Sequence, residues 1–149
     1  MSISDPRALV DTNVLVYATD TTSAFHESAR QLRDRGFRGE LPLVITPQVV
    51  LEFFAVVTNP RRVANPRSPH EAREEVAKDV QATAIGKIYP REDGMACILG
   101  LLADHQEVSR QEIVDLALVA TMLSNGVTRL YTYNHHHCSR FPEIEVLAP

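Results

Sequence analysis

The residues Ala8-Leu9-Val10-Asp11-Thr12-Asn13-Val14-Leu15-Val16-Tyr17 set a carboxylate, a hydroxyl and an amide inside an otherwise apolar run. A short hydrophobic strand that ends on Asp11 and turns straight into a second apolar segment puts that acid at the carboxyl edge of a sheet. Open α/β folds hold their ligands at that edge. The rest of the chain is therefore read for strands that extend such a sheet and for acids that join Asp11.

Apolar stretches at 7–11, 41–45, 85–89, 129–132 and 145–147 have the length of buried strands, and segments of helical period lie between them. Val14 to Ala18 begins a first helix, and Phe25, Ala29 and Leu32 mark a second over 24–35, stopped by Gly36 and Gly39. Thr46-Pro47 is an N-cap with proline at the first helical position, opening a helix to about Thr58 that is apolar nearly all round, as a buried helix is. Ser68-Pro69-His70-Glu71 is a capping box, with Ala72, Val76, Val80 and Ala84 following at intervals of four. Met95, Ile98, Leu99 and Leu102 give an amphipathic helix ending near His105, and Leu116 to Leu123 another, stopped by Asn125-Gly126. Alternating strands and helices imply an α/β fold, an α/β/α sandwich around a mainly parallel sheet. At 149 residues, without a repeat or linker, a single domain over 1–149 is expected.

Composition narrows the function classes. An apolar fraction of 44% with 23% charged residues is that of a soluble globular protein, and a net charge of −4 excludes a wholesale basic nucleic-acid surface while leaving room for a local one. Cys97 and Cys138 form no close-spaced pair, and neither a leader nor an apolar run of membrane-spanning length is legible. A reduced, cytoplasmic setting away from the membrane is expected.

Three acids interrupt three apolar elements: Asp11, Glu52 in the middle of the 47–58 helix, and Asp115 in the first turns of the 116–123 helix, with Glu112 one turn before it. One such acid is commonly a capped or ion-paired structural residue. Several brought to one sheet edge repel one another unless a divalent cation neutralises them. Carboxylate and carbonyl oxygen select Mg²⁺ or Mn²⁺, and an ion of that kind can activate water against a phosphodiester. The densest positive patch, Asn59 to Arg67, follows the Glu52 helix, making Arg61, Arg62 and Arg67 candidates for phosphate contacts. His135-His136-His137-Cys138 carries zinc-type ligands, but neighbours in a short loop rarely aim at one ion.

Val-Asp-Thr-Asn-Val-Leu-Val-Tyr-Ala at 10–18, Glu52 and Asp115 in their helices, Leu-Tyr-Thr-Tyr-Asn at 130–134 before Phe141, and the closing Ile-Glu-Val-Leu-Ala-Pro together resemble a PIN-domain protein, in particular the VapC-type ribonuclease toxins of toxin–antitoxin pairs. The resemblance covers nearly the whole chain. It implies a Mg²⁺- or Mn²⁺-dependent endoribonuclease, a hydrolase of RNA phosphodiester bonds that is frequently a homodimer and is inhibited by a cognate antitoxin. Carried over, Asp11, Glu52 and Asp115 match the first three acidic positions, and Thr12, Asn13 and Thr132 the polar accessory ones. The fourth acidic position is Asn134, which keeps a carbonyl oxygen but brings no charge. Glu112 stands where it could partly compensate, and His137 near the polar position after the strand. The alternative is a PIN-fold protein that binds RNA or antitoxin over a weak or inactive site. A phosphohydrolase with Asp11 as nucleophile would ask for a second carboxylate where Asn13 stands.

Overall fold

A computed structural model describes residues 5–149. Its five strands are β1 (Ala8–Val10), β2 (Leu43–Ile45), β3 (Gly86–Lys87), β4 (Arg129–Tyr131) and β5 (Glu145–Leu147), all parallel in the order β3-β2-β1-β4-β5. β1 and β2 are buried at every residue, so they read as unbroken apolar runs rather than alternating ones. The helices are α1 (Thr12–Thr19), α2 (His26–Phe37), α3 (Pro47–Val57), α4 (Pro69–Gln81), α5 (Gly94–Asp104), α6 (Glu112–Ser124) and the one-turn α7 (His135–Cys138).

Strand order advances from β1 to β3 and then jumps back past β1 to β4. With right-handed crossovers, α1 to α4 cover one face of the sheet and α5 to α7 the other. The packing follows this division: α1 lies on α2 and α3, α3 on α4, α5 on α6, and α6 on α7. The reversal falls between β1 and β4, so the crevice beyond Val10 and Tyr131 is the place where such a sheet holds a ligand.

The local signals explain most of the boundaries. Thr46 accepts a hydrogen bond from the Val49 N–H and Ser68 one from the Glu71 N–H, each with proline at the start of the helix it caps. Gly126, at φ +75°, adopts the left-handed turn that ends α6. Gly36 is required by contact, because a Cβ there would stand 2.5 Å from Leu43 Cδ1 on β2.

Four expectations change. The 47–58 helix is not buried all round, since Leu51 is 69% exposed on the side turned away from the sheet. The interval of four in α4 drifts about 40° per step against a 3.6-residue turn, so Ala72 is buried but Val80 is not. Asp79 is buried in its place, paired with Arg33 on α2. On α5, Leu101 faces inward while Met95 and Leu99 point out. Residues 135–138, read as loop, close one helical turn over the buried Cys138. Among the described residues no helix is long and apolar enough to cross a membrane.

Candidate active site

Asp11 follows the last residue of β1 and caps α1, accepting the Thr12 N–H at 2.7 Å. Its own N–H bonds the Tyr131 carbonyl at 3.0 Å, which extends the β1–β4 ladder one step and fixes the acid at the sheet edge. Thr132, fully buried at the end of β4, donates its hydroxyl to Asp11 Oδ2 at 2.8 Å. Asn13 donates its amide to Thr132 Oγ1 at 3.0 Å and to Asp11 Oδ2 at 3.3 Å, while its carbonyl accepts the Tyr133 N–H at 3.1 Å. Every donor on Asp11 is therefore neutral.

Glu52 reaches in from α3. Its two oxygens accept the Thr12 hydroxyl at 3.0 Å and the Gln48 amide at 3.2 Å. Gln48 also donates to the Val114 carbonyl at 3.1 Å, tying the first turn of α3 to that of α6. Asp115 stands in that first turn, where the helix dipole favours an anion.

These elements enclose a cleft of about 910 Å³ whose lining includes Asp11, Thr12, Asn13, Glu52, Glu112, Asp115, Asn134 and His137. Burial pushes the Asp11 carboxyl above its ordinary range and the Glu52 charge adds to this, against the pull of its hydrogen bonds. Burial raises Asp115 as well, with the Asp11 charge next, while His137 and Arg140 hold it down. Glu112 behaves oppositely, lowered by its contact with Arg140. Burial and the same two aspartates push the Cys138 thiol up to about 12, so it faces the cleft as a neutral group.

Of the candidate arginines, only Arg62 lines the cleft. Arg61 is exposed outside it, and Arg67 turns away to donate to the Thr19 carbonyl at 2.8 Å. The 59–67 loop folds back against α1 here, which sequence spacing does not reveal. Arg140, by contrast, was not singled out from sequence. It pairs with Glu112 at 2.8 Å and donates to the His137 carbonyl at 2.9 Å, bracing α7 against α6 along one wall. Its partner lies 28 positions earlier, so no local pattern could have found it.

The donor set fits a hard cation. Three carboxylates and the Asn134 carbonyl offer oxygen donors, and burial disfavours the anions of Asp11 and Asp115, with the Glu52 charge adding to this at Asp11 and the Asp11 charge at Asp115. Among the described residues no three acidic, histidine or cysteine side chains converge on one point closely enough to hold an ion, so the acids line the cleft without closing on its centre.

Residues 8–143 match the PIN domain family. The chain belongs to that family. Ribonuclease VapC43 of Mycobacterium tuberculosis is 33% identical over 121 residues, which is 81% of this chain and 82% of the relative. Among solved structures, this PIN domain is similar to VapC20 of Mycobacterium tuberculosis, a toxin that cleaves the sarcin–ricin loop, with a TM-score of 0.65 at 19% identity over 92% of this chain and 98% of that one. It is also similar to VapBC2 of Rickettsia felis, solved on a DNA fragment from its promoter, with a TM-score of 0.67 at 14% identity over 96% and 98%. Asp11, Thr12, Asn13, Glu52, Asp115 and Thr132 all fall within the matched span of the PIN domain.

Proposed function

We propose that this protein is the toxin of a toxin–antitoxin pair, a Mg²⁺- or Mn²⁺-dependent endoribonuclease acting as one PIN domain. The observation that carries this is the set of carboxylates gathered at the β1–β4 edge with only neutral donors on Asp11. VapC relatives named as ribonucleases support the reaction class, and VapBC structure neighbours support an antitoxin partner.

In this reading Asp11, Glu52 and Asp115 hold the ion, with Asn134 offering a fourth, uncharged oxygen. A divalent cation held there would supply a water activated for attack at phosphorus and compensation for the charge that develops on the phosphate. Thr132 and Asn13 keep the Asp11 carboxylate turned into the cleft, and Thr12 does the same for Glu52. Glu112 is a brace held by Arg140. His137 lines the same cleft as Asp115, where it can touch the substrate, and Arg62 meets a phosphate at the rim. The protein works in the cytoplasm, as a homodimer bound by its antitoxin until released.

The test is cleavage of RNA by the purified protein with Mg²⁺ or Mn²⁺, with chelator, and with Asp11→Asn. Cleavage that needs the ion and is lost in a folded Asp11→Asn variant is expected. RNA or antitoxin binding without metal-dependent cleavage would assign the alternative, a binding protein over an inactive site. Full activity in Asp11→Asn would remove the site assignment.

A further inference from the structure

Three aromatic rings, Tyr17, Phe25 and Tyr133, pack on one another beside the cleft, joined to it through Tyr17, and have no role in the proposed chemistry. Tyr17 lines the cleft from the last turns of α1. Phe25, just before α2, lies with its ring centroid 5.2 Å from Tyr17 and 4.6 Å from Tyr133, the latter at an interplanar angle of 33°. Tyr17 and Tyr133 meet edge to face at 5.2 Å. Despite these contacts Phe25 is 47% exposed. An exposed aromatic alone needs no explanation, but this one is fixed on two sides and open on the rest.

The cluster is tied by hydrogen bonds to the residues that position the acids. The Tyr133 hydroxyl bonds Ser28 Oγ at 2.5 Å and the Phe25 carbonyl at 3.3 Å. His26 Nδ1 meets the Tyr17 carbonyl at 2.9 Å. The Tyr133 N–H bonds Asn13, which in turn bonds Asp11, so ring position and acid position are set by one hydrogen-bonded chain. Tyr17 is five residues along α1 from Thr12, about 7.5 Å of helix rise. A nucleoside attached to a phosphate held at Asp11 reaches that far.

From this geometry we infer that Tyr17, Phe25 and Tyr133 form a stacking platform for a nucleobase of single-stranded RNA flanking the scissile phosphate. Every base has a π face, so such a platform binds unpaired RNA without reading its sequence and rejects a duplex, whose bases are already stacked. A preformed platform also spends less conformational entropy on binding than free side chains would. The inference rests on the ribonuclease reading and adds to it where the strand lies.

Phe25→Ala, Phe25→Leu and Phe25→Trp test it in two assays. One is the steady-state cleavage of a fluorogenic single-stranded RNA of mixed sequence with Mn²⁺. The other is the quenching of 2-aminopurine in a single-stranded oligoribonucleotide, and in its duplex, on binding in an Asp11→Asn background. Losing one stack raises KM and the dissociation constant about tenfold in Phe25→Ala, with kcat nearly unchanged. Phe25→Leu, which keeps the apolar volume, should fall with Ala, Phe25→Trp should match the wild type, and quenching should be confined to the single strand. Cleavage with an unchanged KM in Phe25→Ala overturns the platform and leaves the ribonuclease reading standing. Unchanged RNA binding together with lost antitoxin binding makes the rings a protein-docking surface and likewise overturns it. No cleavage or binding of any RNA by the wild type ends both proposals together.

Discussion

Asp79 and Asp11 are both carboxylates that burial pushes above their ordinary range, and the molecule answers them differently. Asp79, on the inner side of α4, receives the Arg33 guanidinium at 3.1 Å, and Arg33 reaches on to Glu75 at 3.4 Å. Arg33 also lies 4.9 Å from the Phe37 ring centroid, so the cation is packed as well as paired. Asp11 receives an N–H, a hydroxyl and an amide, and the charge that adds to its burial is the Glu52 carboxylate. The one cleft arginine near Asp115, Arg140, is already engaged by Glu112. A buried acid supplied with its own cation is architecture. Asp11 and Glu52, supplied only with neutral donors, are under the proposed function the place for a cation from solution.

The largest expected effect tests the structural half of that contrast. Arg33→Met should cost about 3 kcal/mol of stability, read by urea unfolding at neutral pH, because Asp79 is left buried without its counter-charge. Adding Asp79→Leu should restore most of the loss, and a cost near zero for Arg33→Met would erase the distinction between the two clusters. Next is Glu52→Gln, which keeps an acceptor oxygen for the Thr12 hydroxyl but removes the charge and the second acceptor that takes the Gln48 amide. Metal-dependent cleavage should fall at least about a hundredfold, more than the loss of a supporting partner gives. Thr132→Val sits below it, with about a tenfold weaker response to metal in titrations followed by activity, since Asp11 then loses its shortest side-chain bond.

The smallest effect has a sign that depends on pH. Asp115 has its carboxyl raised in the folded protein above the ordinary value of 3.8. Folding therefore favours its protonated form, and the stability this gives is present below pH 3.8 and lost as pH rises through the raised value. In metal-free protein Asp115→Asn should be more stable than wild type at neutral pH, by less than about 1 kcal/mol because the group is half in solvent. The advantage should vanish in acid. Thermal midpoints measured in chelator across that range give the answer, and a variant less stable at neutral pH would mean that Asp115 is held by something other than repulsion.

Much of this was legible in the sequence because it depends on local chemistry. Thr46-Pro47 and Ser68-Pro69 place two helix starts through cap geometry, and an apolar run ending on Asp11 places the sheet edge. The gathering of Asp11, Glu52 and Asp115 in one cleft was also expected, since each interrupts an apolar element. What stayed hidden depends on tertiary contact. Nothing near Arg140 announces Glu112, nothing in the 59–67 loop announces that Arg67 bonds Thr19, and nothing in the pattern of α4 announces that Asp79 replaces Val80 in the interior. Phe25 read as one turn of an apolar helix face, whereas its ring belongs to a cluster completed by Tyr133, more than a hundred positions away.

Under the proposed function, the acids at the β1–β4 edge await a divalent cation. Titration of metal-free protein with Mn²⁺, followed by calorimetry and by the thermal midpoint, measures this without reference to RNA. Wild type should bind and be stabilised, by about 2.7 kcal/mol at a hundredfold excess over the dissociation constant. The response should weaken as pH falls toward the raised Asp11 range, where protons compete for the same oxygens, and it should be absent from Asp11→Asn. Equal stabilisation of Asp11→Asn, or no stabilisation of the wild type at millimolar Mn²⁺, would contradict the claim.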